Sequence, residues 1–457
     1  GGRTRARAAA RAGHAGAARP GLTGARARRW LPTAVGLVAF AVLWALAAHS
    51  LWRSTVPADL HLPHLDPRAY FGKALLDRTS SYEQFLEIDA VLAQVALLAV
   101  FVVYARRGHL LMRESAAGPI GTGMLLGMLG LGIVWLAQLP FGIAGLWWER
   151  RHHVSHAGYV QWIVGDFLGL GGKFLFASFA LLVAMGLARL VRGWWWIPGA
   201  GAFVGLMLLL AFVTPFLLPS TYTVTDGPLA RDARALARVE GVPGTRVAVQ
   251  RVRTFTSAPN AEAVGFGSTR RVVLWDTLLG GRFSRREVRI VVAHELGHVS
   301  RDDVLKSVGW FALFALPTAL AIAVATRRRG GMARPEAVPV ALLVLVVLQL
   351  AAGPLENIRS RRVEAQADWS ALQATHDPAA ARALFEHFAH LARQEPNPPT
   401  WAYILNADHP TLMQRLSMVA AWEARHPRQT AASGRPACRR CGYPHLPSPP
   451  LGGATGS

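Results

Sequence analysis

Residues 291–326 read VVAHELGHVSRDDVLKSVGWFALFALPTALAIAVAT, a short motif rich in polar side chains that runs directly into an apolar segment. His294 and His298 are four residues apart, so in a helix they lie on the same face. The apolar segment from Val308 to Thr326 is long enough to cross a hydrocarbon core of about 30 Å. This stretch therefore predicts a chemically active site at the end of a membrane span.

Six other segments have a similar length and composition, and they lie near residues 31–52, 85–104, 120–147, 168–191, 195–218 and 338–355. The whole chain is 52% hydrophobic and only 17% charged, whereas soluble domains are about 25% charged. Tryptophans cluster at several segment ends, for example at residues 147–148 and 194–196, as is typical of a membrane interface. These features predict a mainly α, multi-pass helical bundle of about seven spans.

The polar segments predict how the chain is divided. We expect a disordered basic arm at 1–29, a membrane domain of five spans at 30–218, two further spans at 307–355, and a disordered tail at 431–457. Between them, 219–306 and 356–430 form two parts of one folded polar domain. In the first part, 228–240 predicts a helix and 246–252, 261–266 and 271–274 predict strands, while the second part predicts helix throughout.

Lysine and arginine outnumber aspartate and glutamate by 49 to 27. Such an excess can indicate nucleic-acid binding, but many of these arginines flank apolar segments, as membrane topology requires. We therefore expect no nucleic-acid partner. With seven spans, the positive-inside rule places the arginine-rich segments in the cytoplasm and the HELGH motif outside, and one mistaken span would reverse this orientation.

The HELGH motif predicts a zinc site. Two histidines at this spacing can reach one Zn²⁺ at about 2.0–2.1 Å, and Glu295 between them is placed to act as a general base. A third ligand is needed, and Glu364 is the best candidate, with Asp368 on the same helix face to orient a ligand histidine. Glu356 is the competing ligand, and the alternative for Glu364 is an ion pair with a neighbouring arginine.

The two cysteines, Cys438 and Cys441, are too few for a disulfide framework. Their spacing is that of half of a four-ligand zinc site. Zinc binding there would need His445 and a partner subunit, and otherwise this segment is a plain tail.

Four segments in order resemble the type I CAAX prenyl endopeptidase and heat-shock membrane protease family of integral-membrane gluzincin zinc metallopeptidases. They are NAEAVGFG at 260–267 with RVVLWDTLL at 271–279, HELGH at 294–298, SRRVEAQAD at 360–368, and DHP at 408–410 followed by Arg415. The resemblance covers most of the chain. It implies a zincin-like α+β metallopeptidase domain that two spans split into two parts.

The resemblance also implies roles for individual residues. One Zn²⁺ per chain would be held by His294, His298 and Glu364, with Glu295 as the catalytic base. His409 and Arg415 would stabilise the oxyanion or the substrate carbonyl, although His409 without the resemblance is only a turn residue before Pro410. Asn260 and Ala261 would lie on an edge strand that pairs with extended substrate.

The predicted function is hydrolysis of peptide bonds in membrane-associated or extended polypeptides, and the expected partners are such a substrate and the lipid bilayer. The alternative is a non-hydrolytic zinc-binding protein for transport or sensing. A transporter would place its ionisable ligands near the bilayer midplane, whereas these candidate ligands lie at span ends. We expect a multi-pass protein of a bacterial cell membrane. The family usually faces its site to the cytoplasm, against the arginine distribution, so the side stays open, as does the oligomeric state.

Overall fold

The computed structural model describes residues 22–111, 117–391 and 393–427, and this part is mostly helical. Its first helix, α1 (Leu22–Leu51), is a unit of its own. The apolar part of α1, Val35–Leu51, is 17 residues long, which is shorter than the membrane helices described below. Of the arm predicted for 1–29, residues 1–21 lie outside the described part, and α1 begins at Leu22. The predicted tail from 431 also lies outside it.

Four long helices follow: α2 (Pro67–Arg107), α3 (Gly118–Arg151), α4 (Tyr159–Leu190) and α5 (Trp196–Leu217). The helical path of α2 is interrupted at Gly72, where a φ of 68° suits a residue without a Cβ. Small residues bring α3 close to its neighbours, because a Cβ at Gly123 or Gly127 would collide with Met185 or Leu181 of α4. Small residues are common where membrane helices pack closely.

A four-stranded sheet comes next, formed by β1 (Thr221–Thr223), β2 (Arg246–Gln250), β3 (Ala261–Val264) and β4 (Arg271–Trp275). Its order is β1-β2-β4-β3, with β2 parallel to β4 and the other pairs antiparallel. The three strands expected from the sequence are thus present; β2 and β3 are shorter than expected, and β4 is one residue longer. The sequence prediction missed β1, because three residues are too few to show a period. Helix α6 (Gly227–Val239) connects β1 to β2.

Helix α7 (Arg285–Ser300) carries the HELGH motif and starts with a capping box, in which Ser284 and Glu287 bond each other's backbone N–H groups. One side of α7 packs into the core through Val288, Val292 and Leu296, all fully buried. The core also includes one face of the sheet, through Val249, Val272 and Leu274 among others. This packing fixes the rotation of α7 and leaves its histidine-bearing face toward α9.

Helices α8 (Asp303–Thr326) and α9 (Val338–Thr375) are the last two long apolar helices. Together with α2, α3, α4 and α5 they make six helices in the described residues that are long and apolar enough to cross a membrane. Helix α9 runs without interruption from its apolar half into the SRRVEAQAD segment. The predicted boundary at 355 therefore falls inside one helix, which connects the membrane rigidly to the polar domain.

The polar domain ends with α10 (Pro378–Leu391), α11 (Thr400–Leu405) and α12 (Leu412–Arg425). The prediction of helix throughout 356–430 was wrong for the segments at 393–399 and 406–411, which are not helical. Three prolines, Pro396, Pro398 and Pro399, explain the first of these, since proline lacks the N–H that helix hydrogen bonding requires.

Candidate active site

Three side chains from two helices meet at one point. His294 and His298 project from α7 and Glu364 from α9, and one ligand atom of each lies within 4.8 Å of the others. The two Nε2 atoms are 3.2 Å apart, and Glu364 oxygens lie 3.1 Å from His294 Nε2 and 3.5 Å from His298 Nε2. Tetrahedral zinc at about 2.0–2.1 Å from its ligands would separate ligand atoms by about 3.3 Å. The group thus fits a small divalent cation.

The close approach of α7 to α9 depends on Gly297. A Cβ at this position would lie 3.0 Å from Cβ of Ser370 on α9 and 3.1 Å from Nη1 of Arg301. Any larger residue would require one of these neighbours to move, so Gly297 allows α7 and α9 to approach closely beside the histidines. The glycine of the HELGH motif therefore has a packing role in addition to the chemistry of its neighbours.

The two histidines are each oriented by a buried carboxylate. His294 Nδ1 donates to Asp368 Oδ1 at 3.0 Å, as the sequence predicted for Asp368. His298 Nδ1 donates to Asp303 Oδ2 at 3.0 Å, and Asp303 also pairs with Arg301 and Lys306. The sequence interpretation did not identify Asp303. The signal that could have identified it is the pair of acidic residues in the turn after HELGH, at 302 and 303.

Arg415 lies behind Asp368 and is buried like it. Its Nε and Nη2 donate to the two carboxylate oxygens of Asp368 at 2.9 and 2.5 Å, and its guanidinium stacks on Phe385 at 4.3 Å from the ring centroid. This bidentate geometry fixes the carboxylate plane. Arg415 also lines the active-site cavity, where the sequence placed it near the substrate.

The charges around His294 favour a cation. Burial alone would disfavour a charged ring, but hydrogen bonds to Asp368 and Glu364 outweigh it and raise the pKa of His294 to about 10. Two carboxylates thus stabilise positive charge at this ring. A bound metal ion would supply that charge in place of the proton.

Glu295 and His409 border the same cavity. Burial raises the pKa of Glu295, while the charges of His294 and His298 oppose that rise. His409 lies on the loop before α12, about half exposed, with Nδ1 2.7 Å from Asp408 Oδ1 and Nε2 3.3 Å from Glu364 Oε2. The structure therefore brings His409 beside the His-His-Glu group.

The cavity extends from this group to the sheet. Asn260 and Ala261, at the start of β3, line it on one side. Strand β3 is the last strand of the sheet on this side, and among the described residues no strand pairs with its outer edge. Apolar residues also line the cavity, namely Leu278, Ile290, Val291, Leu384 and Phe388.

The other residues that the sequence suggested as metal ligands do not lie at this site in the described part of the chain. Glu356, the competing third ligand, is about half exposed and pairs with Arg359 at 2.9 Å. The Cys438 and Cys441 pair, with His445, lies outside the described residues.

Membrane helices that continue into an α+β domain, with a His-Glu-x-x-His helix facing a glutamate, define an integral-membrane metallopeptidase. The sequence model of "Peptidase family M48" matches residues 224–423. A "Protease HtpX homolog" of Kineococcus radiotolerans is 30% identical over 231 residues, which are 46% of this chain and 78% of that protein. The chain belongs to peptidase family M48.

Two longer matches agree with this assignment. The "Uncharacterized metalloprotease YhfN" of Bacillus subtilis is 24% identical over 383 residues, 79% of this chain and 89% of that protein. A "CAAX prenyl protease 1 homolog" of Oryza sativa is 25% identical over 310 residues, 62% and 70% of the two chains. The predicted family, the fold class and the multi-pass membrane location are thereby confirmed.

The fold also matches a solved structure. The crystal structure of S. mikatae Ste24p superposes with a TM-score of 0.63 at 17% identity, over 83% of this chain and 97% of that one. At this identity the match concerns the fold alone. It confirms a membrane helical bundle joined to a small mixed sheet.

Proposed function

We propose that this metallopeptidase is a zinc endopeptidase that cleaves extended segments of membrane-associated polypeptides. Cleavage takes place near the ends of its own membrane helices. The observation that supports this most directly is the His294–His298–Glu364 group, which opens into a cavity beside the free edge of β3. Membrane helix α8 begins next to the same group, and α9 carries Glu364 beyond its apolar half. We propose a bacterial cell membrane as the location, because two of the relatives come from Bacillus subtilis and Kineococcus radiotolerans.

The donor set supports zinc as the metal. Two imidazole nitrogens and one carboxylate oxygen are the ligand types of hydrolytic zinc sites, which leave a fourth position open. When bound, the ion polarises the scissile carbonyl and lowers the pKa of a water toward about 7. In our proposal His294, His298 and Glu364 hold it, while Asp368 and Asp303 fix the two rings.

Glu295 carries the proton in this proposal. Its carboxylate takes a proton from the attacking water and later delivers it to the leaving amine, so that one group serves as base and then as acid. Glu295 is buried in α7 between the two candidate ligand histidines and lines the cavity, so its carboxylate is near the place where water and substrate would bind.

His409 faces the developing negative charge. Asp408 holds its Nδ1, which directs Nε2 toward the Glu364 side of the cavity. From there Nε2–H can donate to the oxyanion. For Arg415, the contacts with Asp368 support a role in positioning that carboxylate, and its predicted contact with the substrate carbonyl stays a prediction.

The cavity walls support a preference for extended and apolar substrate segments. A peptide strand can hydrogen-bond to the outer edge of β3 at Asn260 and Ala261, as in β-augmentation. The cavity lining at Phe388 and Leu384 is apolar. We therefore propose that the substrate has an apolar side chain next to the scissile bond. Such segments are abundant in polypeptides that emerge from a membrane.

Purified protein in detergent or nanodiscs tests this function. We expect about one zinc per chain by elemental analysis, and cleavage of extended peptides that stops with a chelator and returns with zinc. Cleavage sites are read by mass spectrometry, where internal sites identify an endopeptidase. Zinc-loaded, folded protein that cleaves no peptide or membrane-anchored substrate would overturn the proposal.

A further inference from the structure

Helix α11 exposes an apolar face. Trp401, Ile404 and Leu405 follow the i, i+3, i+4 spacing that places side chains on one side of a helix. Their exposed fractions are 43%, 43% and 48%, whereas Ala402 on another side is buried. The Tyr403 hydroxyl bonds Gln414 of α12 at 2.8 Å, so the helix is fixed to the domain with this face outward.

The position of α11 relative to the membrane follows from Asn357. Its Nδ2 donates to the carbonyls of Ile404 and Leu405 at 3.2 and 2.7 Å. Asn357 lies two residues after Leu355, where the apolar run of α9 ends. Leu355 and Ile358 of α9 are themselves 59% and 44% exposed. The apolar face of α11 therefore lies at the height where α9 leaves the bilayer.

Helix α8 indicates the same height independently. Arg359 Nη1 of α9 donates to Ser307 Oγ at 3.3 Å, and Ser307 directly precedes the apolar run of α8. One turn further, Trp310 contacts Trp52 edge-to-face at 6.0 Å between ring centroids. Tryptophans of this kind are enriched at the membrane–water interface. Two antiparallel spans thus end at one level, and α11 lies there.

We propose that α11 lies in the interface of the bilayer, with Trp401, Ile404 and Leu405 inserted among the upper acyl chains. Apolar side chains on one face of an interfacial helix bind a membrane in this way. Substrate is a poor alternative occupant, since none of these three side chains lines the active-site cavity in the described structure. The exposed Leu355 and Ile358 of α9 flank Asn357, which bonds α11, so apolar side chains of both helices are exposed at one level, and lipid is the fitting partner.

This membrane contact is coupled to the active site. Arg361 of α9 donates to the carbonyls of Tyr403 and Ala407 at 2.8 and 2.6 Å, and the chain continues directly to His409. The depth of α11 therefore sets the height of His409 relative to the membrane. On the proposed peptidase function, the site is held where a polypeptide leaves the bilayer, and substrates anchored in the membrane are favoured.

Site-directed spin labelling measures the depth of α11 without any activity assay. In a C438S/C441S background, labels at I404C and L405C are compared in lipid nanodiscs with L345C, in the apolar half of α9, and V239C, an exposed apolar position at the end of α6. We expect labels at 404 and 405 to be accessible to oxygen and shielded from a polar nickel reagent, as at 345 and unlike 239.

Two results would overturn the membrane contact. One is nickel accessibility at 404 and 405 equal to that at 239. The other is shielding of 404 and 405 from oxygen as well as from the nickel reagent, unlike 345, because the cover would then be packed protein and not lipid.

A second measurement tests the consequence for substrates separately. The triple variant W401S/I404S/L405S, with V239S as its control, should lose several-fold in kcat/KM toward a membrane-anchored peptide and keep its rate on the same peptide in solution. Suppose that the spin labels at 404 and 405 lie in the interface, but wild type and triple variant cleave both peptides at equal rates. This result would reject the substrate preference and leave the membrane contact standing. Loss of all peptidase activity in the wild type would instead reject the proposed function.

Discussion

Asp303, at the first turn of membrane helix α8, accepts a hydrogen bond from Nδ1 of His298 at 3.0 Å. Asp302, just before it, has a left-handed backbone with φ 52°, and this turn sends the chain back toward α7. The start of a membrane span thus orients a side chain of the candidate metal site. Since Asp303 is buried and also pairs with Arg301, the link between membrane and site is rigid.

The first prediction concerns this link. D303N should weaken zinc affinity by about 10–100-fold, the usual effect of removing a carboxylate that orients a ligand histidine. Competition with a chromophoric chelator measures it. D302N is the matched control, because Asp302 is exposed and asparagine tolerates the left-handed region. Equal affinity in both variants would remove Asp303 from the site.

The second prediction separates metal binding from proton transfer. E295Q should retain about one zinc per chain and lose peptide cleavage by orders of magnitude, because the amide cannot accept the proton of the attacking water. Elemental analysis and a fluorogenic peptide measure the two properties on one sample. Full activity in E295Q would show that another group is the base.

The third prediction identifies the third ligand. E364Q should lose most bound zinc, because Glu364 lies 3.1 Å from His294 Nε2 and completes the group. E356Q serves as control, since Glu356 pairs with Arg359 at the surface. The zinc content of the two variants after dialysis decides between them, and zinc loss in E356Q alone would reverse the assignment.

The fourth prediction concerns acid stability. Burial would raise the pKa of Glu287, but hydrogen bonds with His387 and Ser284 outweigh burial and hold the pKa below the ordinary value of 4.5. A carboxylate with a lowered pKa in the folded state stabilises the fold above about pH 4.5, and this contribution is lost as the pH falls through the folded-state pKa. E287Q should therefore lower the unfolding temperature at neutral pH and flatten its decrease in acid.

Thermal unfolding in detergent from neutral to acid pH measures this difference. E386Q, one residue before His387, is the control and should keep the wild-type acid profile. An E287Q profile parallel to wild type would show that Glu287 titrates alike in the folded and unfolded states.

The fifth prediction concerns the apolar cavity wall. F388A should reduce the preference for a large apolar residue over alanine next to the scissile bond by about tenfold or more, the usual size of a lost apolar pocket contact. Values of kcat/KM for a matched peptide pair measure it. F255A, at an exposed site outside the cavity, should keep the preference. An unchanged preference in F388A would place the pocket elsewhere.

Much of the fold follows from local patterns in the sequence. Apolar segments of sufficient length predicted the membrane helices, because hydrophobic length is a property of a single segment. The helical spacing of His294 with His298, and of Glu364 with Asp368, placed each pair on one face.

The remaining features needed the tertiary structure. A sequence shows which residues share a helix face, but it does not show which faces meet. The close approach of α7 and α9 at Gly297 brings Glu364 beside the histidines, while Glu356 stays at the surface with Arg359. The turn at Asp302 selects Asp303 to orient His298, and a contact across 47 residues places Arg415 on Asp368.

The sequence by itself determined a multi-pass membrane chain with a histidine-pair helix, because hydrophobicity and helical period act over short stretches. The tertiary structure decided that Glu364 rather than Glu356 meets those histidines, and that Asp303 orients His298. The first depends on packing between segments far apart in the chain, where shape complementarity and buried hydrogen bonds select one arrangement among many.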